Sequence, residues 1–267
     1  MAQILDGKKL AKKFLVEIKK EVKRLKKKPR LLVFLVGKDH ASEIFVRAKE
    51  RACLGVGIDF VLERITAQTP TLKICEIIKQ KDKEESPDGI VVQLPLPRGV
   101  NVDQVLRCIP STKDVDSLTS DLVESPLVLA IITLLSEYGI EFKDRKVVVV
   151  GAGRLVGQPV SNMARRLGGL VKVCDLKTKN LQKETQGADI LISGVGKPGL
   201  IRASMIRQGA VVVDAGTSFL GSKVKGDVNF PEVLKKASFI TPVPGGVGPM
   251  TVVMLLTNLI ELTKIKN

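Results

Sequence analysis

The segment Gly151-Ala152-Gly153-Arg154-Leu155-Val156-Gly157 follows the apolar run 146–150 and precedes a stretch with helical spacing. Strand, glycine loop and helix in that order suit a dinucleotide. Glycines permit a tight turn and close backbone approach, and the free N–H groups of a helix start face pyrophosphate. The third glycine falls one position later than in G-x-G-x-x-G, and a plain strand–helix turn is the alternative reading. Asp175 closes the next strand pattern, 24 positions beyond Gly151. An acid there accepts hydrogen bonds from an adenosine ribose and repels a 2′-phosphate, so it leans toward NAD. Arg154 and Lys177 offset that repulsion, and a solvated turn Asp is the bland alternative.

A second group lies in the amino-terminal half. Ser42, Phe45 and Lys49 share one helix face. Gln93 ends a strand pattern, where open α/β sheets place ligands. Lys113-Asp114-Val115-Asp116 follows a short helix. Each has an ordinary alternative: a solvated Lys, a strand-ending Gln, a capping Asp. The sole histidine, His40, is expected in the loop after the first strand, where a solvated role is simpler than proton transfer. Cys53, Cys75, Cys108 and Cys174 form no close pairs and read as reduced, mostly buried thiols; with one His there is no zinc spacing, and no metal is expected.

The elements that must position these residues alternate. Leu10, Phe14, Ile18, Val22 and Leu25 mark an amphipathic helix over 7–28. Unbroken apolar runs at 31–36 and 89–94 read as buried strands, with helices expected over 42–54, capped by Ser42, and over 72–78. The pattern repeats with strands at 146–150, 171–174, 190–193 and 210–214, helices at 127–138 and 157–167, and a closing helix over 250–262. This predicts an α/β protein with parallel sheets covered on both faces. A division is expected near 118–126, where short polar residues gather.

The 267 residues allow one large domain or two ordinary ones, and an apolar fraction of 44% excludes intrinsic disorder. Lys plus Arg outnumber Asp plus Glu, 43 to 28, for a net charge of +15 and an expected anionic partner. Nucleic-acid readers built on aromatic platforms are disfavoured by one Tyr and no Trp. No signal-peptide pattern opens the chain, and the apolar stretch at 252–260 is too short to span a bilayer, so a cytoplasmic protein without membrane association is expected.

Read together, the motifs resemble the bifunctional methylenetetrahydrofolate dehydrogenase/methenyltetrahydrofolate cyclohydrolase family nearly end to end. The likeness runs through Ile4-Leu-Asp-Gly7, Val36-Gly37 with Ala41-Ser42, the helix of Lys49, Val92-Gln-Leu-Pro-Leu-Pro97 and Lys113-Asp-Val-Asp116. It continues in Val156-Gly157-Gln-Pro159, Thr178-Lys-Asn180, Gly194-Val-Gly-Lys-Pro198 and Thr241-Pro-Val-Pro-Gly-Gly-Val-Gly-Pro-Met-Thr251. The resemblance implies a folate-binding catalytic domain, 1–118 with the C-terminal helix 249–267, and a Rossmann-like NAD(P) domain, 119–248, with a cleft between them. It also implies a homodimer paired through the cofactor domains. By position Lys49 resembles the family's catalytic Lys, Gln93 its hydrogen-bonding partner and Asp116 the carboxylate that holds the pterin. Ser42, Phe45, Pro244, Gly245 and Gly246 match substrate-facing positions. Gly151, Gly153, Arg154, Val156, Gly157, Asp175, Lys177, Thr178, Val195, Gly196 and Gly216 match the cofactor side.

The chain also departs from that family. Phe45 stands where Tyr is usual, which keeps stacking but removes a hydroxyl. The usual Asp-Val-Asp-Gly reads Asp114-Val115-Asp116-Ser117, and the stretch after it is shorter by roughly a dozen residues, a large change against usual loop lengths. Gly151-Ala152-Gly153 and Asp175-Leu176-Lys177-Thr178 replace groups that commonly serve the 2′-phosphate of NADP, the family default. The expected activity is oxidation of 5,10-methylenetetrahydrofolate followed by hydrolysis to 10-formyltetrahydrofolate, within one-carbon metabolism and purine biosynthesis. The anionic partner is then a tetrahydrofolate, with a polyglutamate tail an open extension, and no nucleic acid is expected. Two readings compete: a dehydrogenase with weak cyclohydrolase action, and a non-catalytic basic relative that binds nucleic acid.

Overall fold

The computed structural model describes residues 1–221 and 223–266. In chain order the elements are β1 (Gln3–Ile4), α1 (Gly7–Arg24), β2 (Arg30–Val36), α2 (His40–Val56), β3 (Asp59–Ile65), α3 (Thr71–Glu85), β4 (Gly89–Val92) and α4 (Val102–Leu106). There follow α5 (Pro126–Glu137), β5 (Lys146–Val150), α6 (Gly157–Arg166), β6 (Leu170–Cys174), α7 (Leu181–Thr185), β7 (Ile190–Ser193) and β8 (Val211–Asp214). The chain closes with β9 (Ser218–Leu220), β10 (Lys223–Lys225), α8 (Phe230–Val233), β11 (Phe239–Ile240) and α9 (Val247–Lys266).

Two compact units result. One comprises Met1–Ala11 and Leu127–Thr251; the other comprises Lys12–Pro126 and the chain from Val252 on. The larger sheet has the order β1-β11-β8-β7-β5-β6, parallel throughout. Its core gathers Val148, Val150, Leu191, Val212 and Ile240. The other unit has a parallel sheet of order β3-β2-β4. Leu31 through Val36 of its middle strand are all buried, as a strand covered on both faces requires. Ile74 and Ile78 of α3, with Val105 and Leu106 of α4, join Leu32, Phe34, Ile90 and Val92 in that core. Antiparallel β9 and β10 form a separate hairpin.

Three expectations change. The first eleven residues, expected with 1–118, belong with the larger sheet: Gln3 pairs with Phe239 and Ile4 with Ile240, and Lys8 N–H donates to Gly245 O at 2.8 Å. A two-residue strand carries no periodic signal, so only its distant partner reveals it. Helix α2 starts at His40 rather than Ser42, because Asp39 is the cap: its Oδ2 accepts Ser42 N–H and Ser42 Oγ–H, both at 2.8 Å. Cys75 and Cys108 meet as a disulfide joining α3 to the segment after α4, with Cα atoms 5.6 Å apart. Their 33-residue separation hid the pairing. Cys53 and Cys174 remain free and buried.

Candidate functional site

In the β3-β2-β4 unit, α2 and the end of β4 bring two of the expected residues into contact. Lys49 Nζ donates to Gln93 Oε1 at 2.9 Å. Gln93, just past β4, donates its Nε2 to Leu94 O at 2.7 Å, so both ends of the amide are committed and its oxygen must face the lysine. Burial pushes the Lys49 pKa down, while the Asp116 charge pulls it back up. Asp116 is pushed up by burial, opposed by Lys49 and reinforced by Asp114. The two groups therefore sense each other's charge in a poorly solvated place, where a lysine can give and take protons. Burial drives the Cys53 thiol up to about 12, so it stays protonated near neutrality and is no nucleophile. Phe45, on α2 one turn before Lys49, is half-buried. Ser42 is buried and its hydroxyl is given to Asp39.

The turn that carries Asp116 is tightly bonded. Asp114, 1% exposed, accepts Leu118 N–H at 2.9 Å, Thr119 N–H at 2.7 Å and Thr119 Oγ–H at 2.9 Å on one oxygen. Ser117 adopts φ 53°, the left-handed region that the family's usual glycine enters freely. Lys113 does not face the lysine site: it pairs with Asp82 of α3.

In the other unit the loop after β5 has the conformation a phosphate cradle needs. Gly151 has φ 108°, and a Cβ at Gly157 would lie 2.0 Å from Gly151 O, so neither position accepts a side chain. A Cβ at Gly153 would meet nothing within 4 Å, leaving open space over the loop. Helix α6 starts at Gly157 with Val156 before it and no side-chain cap. Its dipole and free N–H groups thus fit a diphosphate. Arg154 lies exposed on the same loop. Asp175, Lys177 and Thr178 form one turn after β6. Asp175 Oδ1 accepts Lys177 N–H at 2.9 Å, and Thr178 Oγ1 accepts Asp175 N–H at 2.9 Å.

Two buried carboxylates shape the next loops, and sequence reasoning missed both. Asp227, fully buried, accepts Ser193 Oγ–H at 2.8 Å, Val195 N–H at 2.7 Å and Lys197 N–H at 2.8 Å. Asp214 accepts Gly216 N–H at 3.0 Å, Asp227 N–H at 3.1 Å and Val228 N–H at 2.9 Å. Burial raises Asp214 to about 6 against the pull of those donors. A Cβ on Gly216 would sit 2.2 Å from the Asp227 carboxyl carbon, so this glycine makes room for that carboxylate. Val195 and Gly196 sit in the loop that Asp227 binds, and Gly196 O also accepts Ser218 Oγ–H at 2.7 Å. The flanking glycines, Gly216 and Gly226, were the only sequence hint of these acids. The turn of Pro244, Gly245 and Gly246 packs on the start of α1: a Cβ on Gly7 would lie 1.9 Å from Gly246 O. Among the described residues, no group of three or more His, Cys, Asp or Glu could hold a metal ion.

Family models match the chain as two consecutive stretches, whereas its compact units interleave along the sequence. Residues 5–116 match the catalytic domain of tetrahydrofolate dehydrogenase/cyclohydrolase, and residues 126–267 match its NAD(P)-binding domain. The chain belongs to this family. It is 45% identical to the bifunctional protein FolD of Aquifex aeolicus, over 100% of this chain and 97% of that protein. The bifunctional FolD structure from Campylobacter jejuni superposes with a TM-score of 0.94 at 36% identity, covering 100% of both chains. The Trypanosoma brucei FolD, complexed with NADP and an inhibitor, gives a TM-score of 0.94 at 32% identity, covering 99% of this chain and 98% of that one. For this tetrahydrofolate dehydrogenase/cyclohydrolase, two α/β units with a Rossmann-like cofactor unit are the family's architecture. No helix among the described residues is long and apolar enough to cross a membrane.

Proposed function

We propose that this enzyme oxidises 5,10-methylenetetrahydrofolate to the methenyl cation with a nicotinamide dinucleotide and hydrolyses that cation to 10-formyltetrahydrofolate, as part of one-carbon metabolism. The observation that carries the reading is the Lys49 Nζ–Gln93 Oε1 contact of 2.9 Å within reach of the Asp116 charge. A bound dinucleotide supplies the hydride acceptor. The substrate's own nitrogen lone pairs stabilise the cation that hydride loss leaves, so the protein's task in that step is placement. Hydrolysis adds water to the cation and must move protons, and Lys49 is the group that moves them. A cationic substrate lowers the lysine's basicity further, and Gln93 orients Nζ without adding charge. Asp116 holds the pterin, and Ser42 and Phe45 supply substrate contacts.

Gly151, Gly153, Arg154, Val156, Gly157, Val195, Gly196 and Gly216 form the dinucleotide side. Asp175 favours NAD over NADP, because its carboxylate accepts from a ribose hydroxyl and repels a 2′-phosphate. The NADP-bound Trypanosoma relative keeps both cofactors in the test. Two chains pair through their cofactor units, for which the free edge of β6 and its exposed Leu170 give a surface. The cytoplasm is the expected compartment, and the excess of basic residues suits a folate carrying a glutamate tail. The second reading, a dehydrogenase with weak hydrolysis, is favoured by Phe45 in place of Tyr and by the shortened stretch after Asp116.

The test is both half-reactions assayed with both cofactors. We expect nicotinamide reduction with methylenetetrahydrofolate, a lower KM for NAD, and decay of the methenyl absorbance. A methenyl product that accumulates leaves the dehydrogenase alone. Lys49→Ala should lower the hydrolysis rate about 100-fold or more, the scale of a lost proton-transfer group. Equal hydrolysis by this variant and wild type would remove Lys49 from the mechanism.

A further inference from the structure

The turn carrying Asp116 is short, and its ends are tied by one side chain far away in sequence. Asn258, on α9 and 1% exposed, donates both hydrogens of its amide: to Val115 O at 2.9 Å and to Glu124 O at 2.8 Å. These carbonyls bracket the shortened segment, one immediately before Asp116 and the other just before α5 begins. Two carbonyls, that of Val115 buried and that of Glu124 part-buried, converge on one donor group, and neither Asp nor Leu at this position offers the two hydrogens they take up. The surrounding backbone is built to let the two parts close. A Cβ on Gly89 of β4 would come within 2.4 Å of Val115 Cγ1 and 2.6 Å of Leu259 Cδ1, the neighbours of Asp116 and Asn258. Within the turn, Asp114 gathers the amides of Leu118 and Thr119, and Ser117 Oγ donates to Ser120 O at 2.9 Å.

We infer that Asn258 is a positioning residue for Asp116: its amide bridges the two ends of the shortened loop and fixes the carboxylate where it meets the folate. The inference rests on the reading that Asp116 contacts folate. The Val115 carbonyl adjoins the Asp116 peptide directly, so losing its donor lets the Asp116 backbone turn and moves its carboxylate. Dinucleotide contacts lie in the other unit and are untouched by the change.

The experiment measures folate and dinucleotide parameters separately for wild type, Asn258→Leu, Asn258→Ser, Asp116→Ala and the Asn258→Ser/Asp116→Ala double variant. Wild-type turnover comes first; its absence would sink the folate reading itself, separately from this inference. With turnover present, we expect KM for methylenetetrahydrofolate to rise at least tenfold in Asn258→Ser, with dinucleotide Kd, measured by fluorescence without turnover, within twofold of wild type. In the Asp116→Ala background the Asn258 change should add less than twofold, because its effect runs through the missing carboxylate. If Asn258→Leu fails to fold, Asn258→Ser, which leaves a small polar group and room for water, carries the test. A folate KM within twofold of wild type alongside a lowered melting temperature would make Asn258 a purely structural residue and overturn the inference. Independent, multiplying losses in the double variant would do the same.

Discussion

Burial and the Asp116 carboxylate act on Lys49 in opposite directions, and this opposition can be read in a pH profile. Desolvation lowers the lysine pKa and the Asp116 charge raises it. A lysine that must lose its proton to assist hydrolysis gives a rate that climbs with pH and levels off above its pKa. Asp116→Asn removes the raising charge and keeps the side chain's size. At saturating substrate, the rising limb of kcat for methenyl hydrolysis should therefore move to lower pH in this variant. A limb that moves to higher pH, or stays in place, would mean that Asp116 does not set the proton affinity of the acting group. Cys53 contributes little to such a profile, because a thiol raised to about 12 is uncharged throughout the working range. Lys49 and Gln93, which the structure brings into contact, and Asp116, whose charge Lys49 senses, stood out as candidates because side-chain type and motif coincide there. Asp39 was not, since a cap three residues before Ser42 is indistinguishable from a solvated loop acid until the helix start is known.

At the scale of elements, the loop after β7 depends on a carboxylate from a distant turn. Asp227 accepts three hydrogen bonds, from Ser193, Val195 and Lys197. An amide in its place offers one acceptor oxygen and turns an NH2 toward donors. The mispairing should cost about 1–3 kcal/mol at a buried site. Asp227→Asn is thus expected to raise the dinucleotide KM about tenfold and lower the melting temperature by several degrees, with the folate KM unchanged. Steady-state kinetics varying each substrate separately would check it, and an unaltered dinucleotide KM would refute the role. The strands and long helices around this loop were readable because apolar runs and 3.6-residue spacing reflect burial directly. What was not readable belongs to contacts between distant residues. The two-residue β1 has no period, Asp227 has no local partner before Ser193 is brought beside it, and Cys75 meets Cys108 only once α3 and α4 pack. Gly216, matched to the cofactor set by position, shows the same limit, since the nearest atoms to its absent Cβ belong to Asp227.

For the molecule as a whole, chain connectivity and compact units do not coincide. Neither unit is one continuous stretch: the chain changes unit within α1, at the start of α5 and within α9. The natural-looking cut at Pro126 therefore divides both. A fragment of residues 1–126 keeps β1 without β11 and lacks the part of α9 from Val252 on. It would leave the Val115 and Glu124 carbonyls without the Asn258 amide, and Val115 without Leu259 across Gly89. Carbonyls left without their donor and newly exposed apolar side chains weigh heavily in a fragment this short. Calorimetry should show one cooperative transition or two for the whole chain and none for the 1–126 fragment. Adding residues 12–126 fused through a flexible linker to 252–267 should recover a cooperative melt, because that chain restores the complete unit and omits the strand that belongs elsewhere. A 1–126 fragment that melts cooperatively within a few degrees of the linked form would show that α9 is dispensable to the unit that carries Lys49, and would weaken the case that the C-terminal helix holds the Asp116 turn in place.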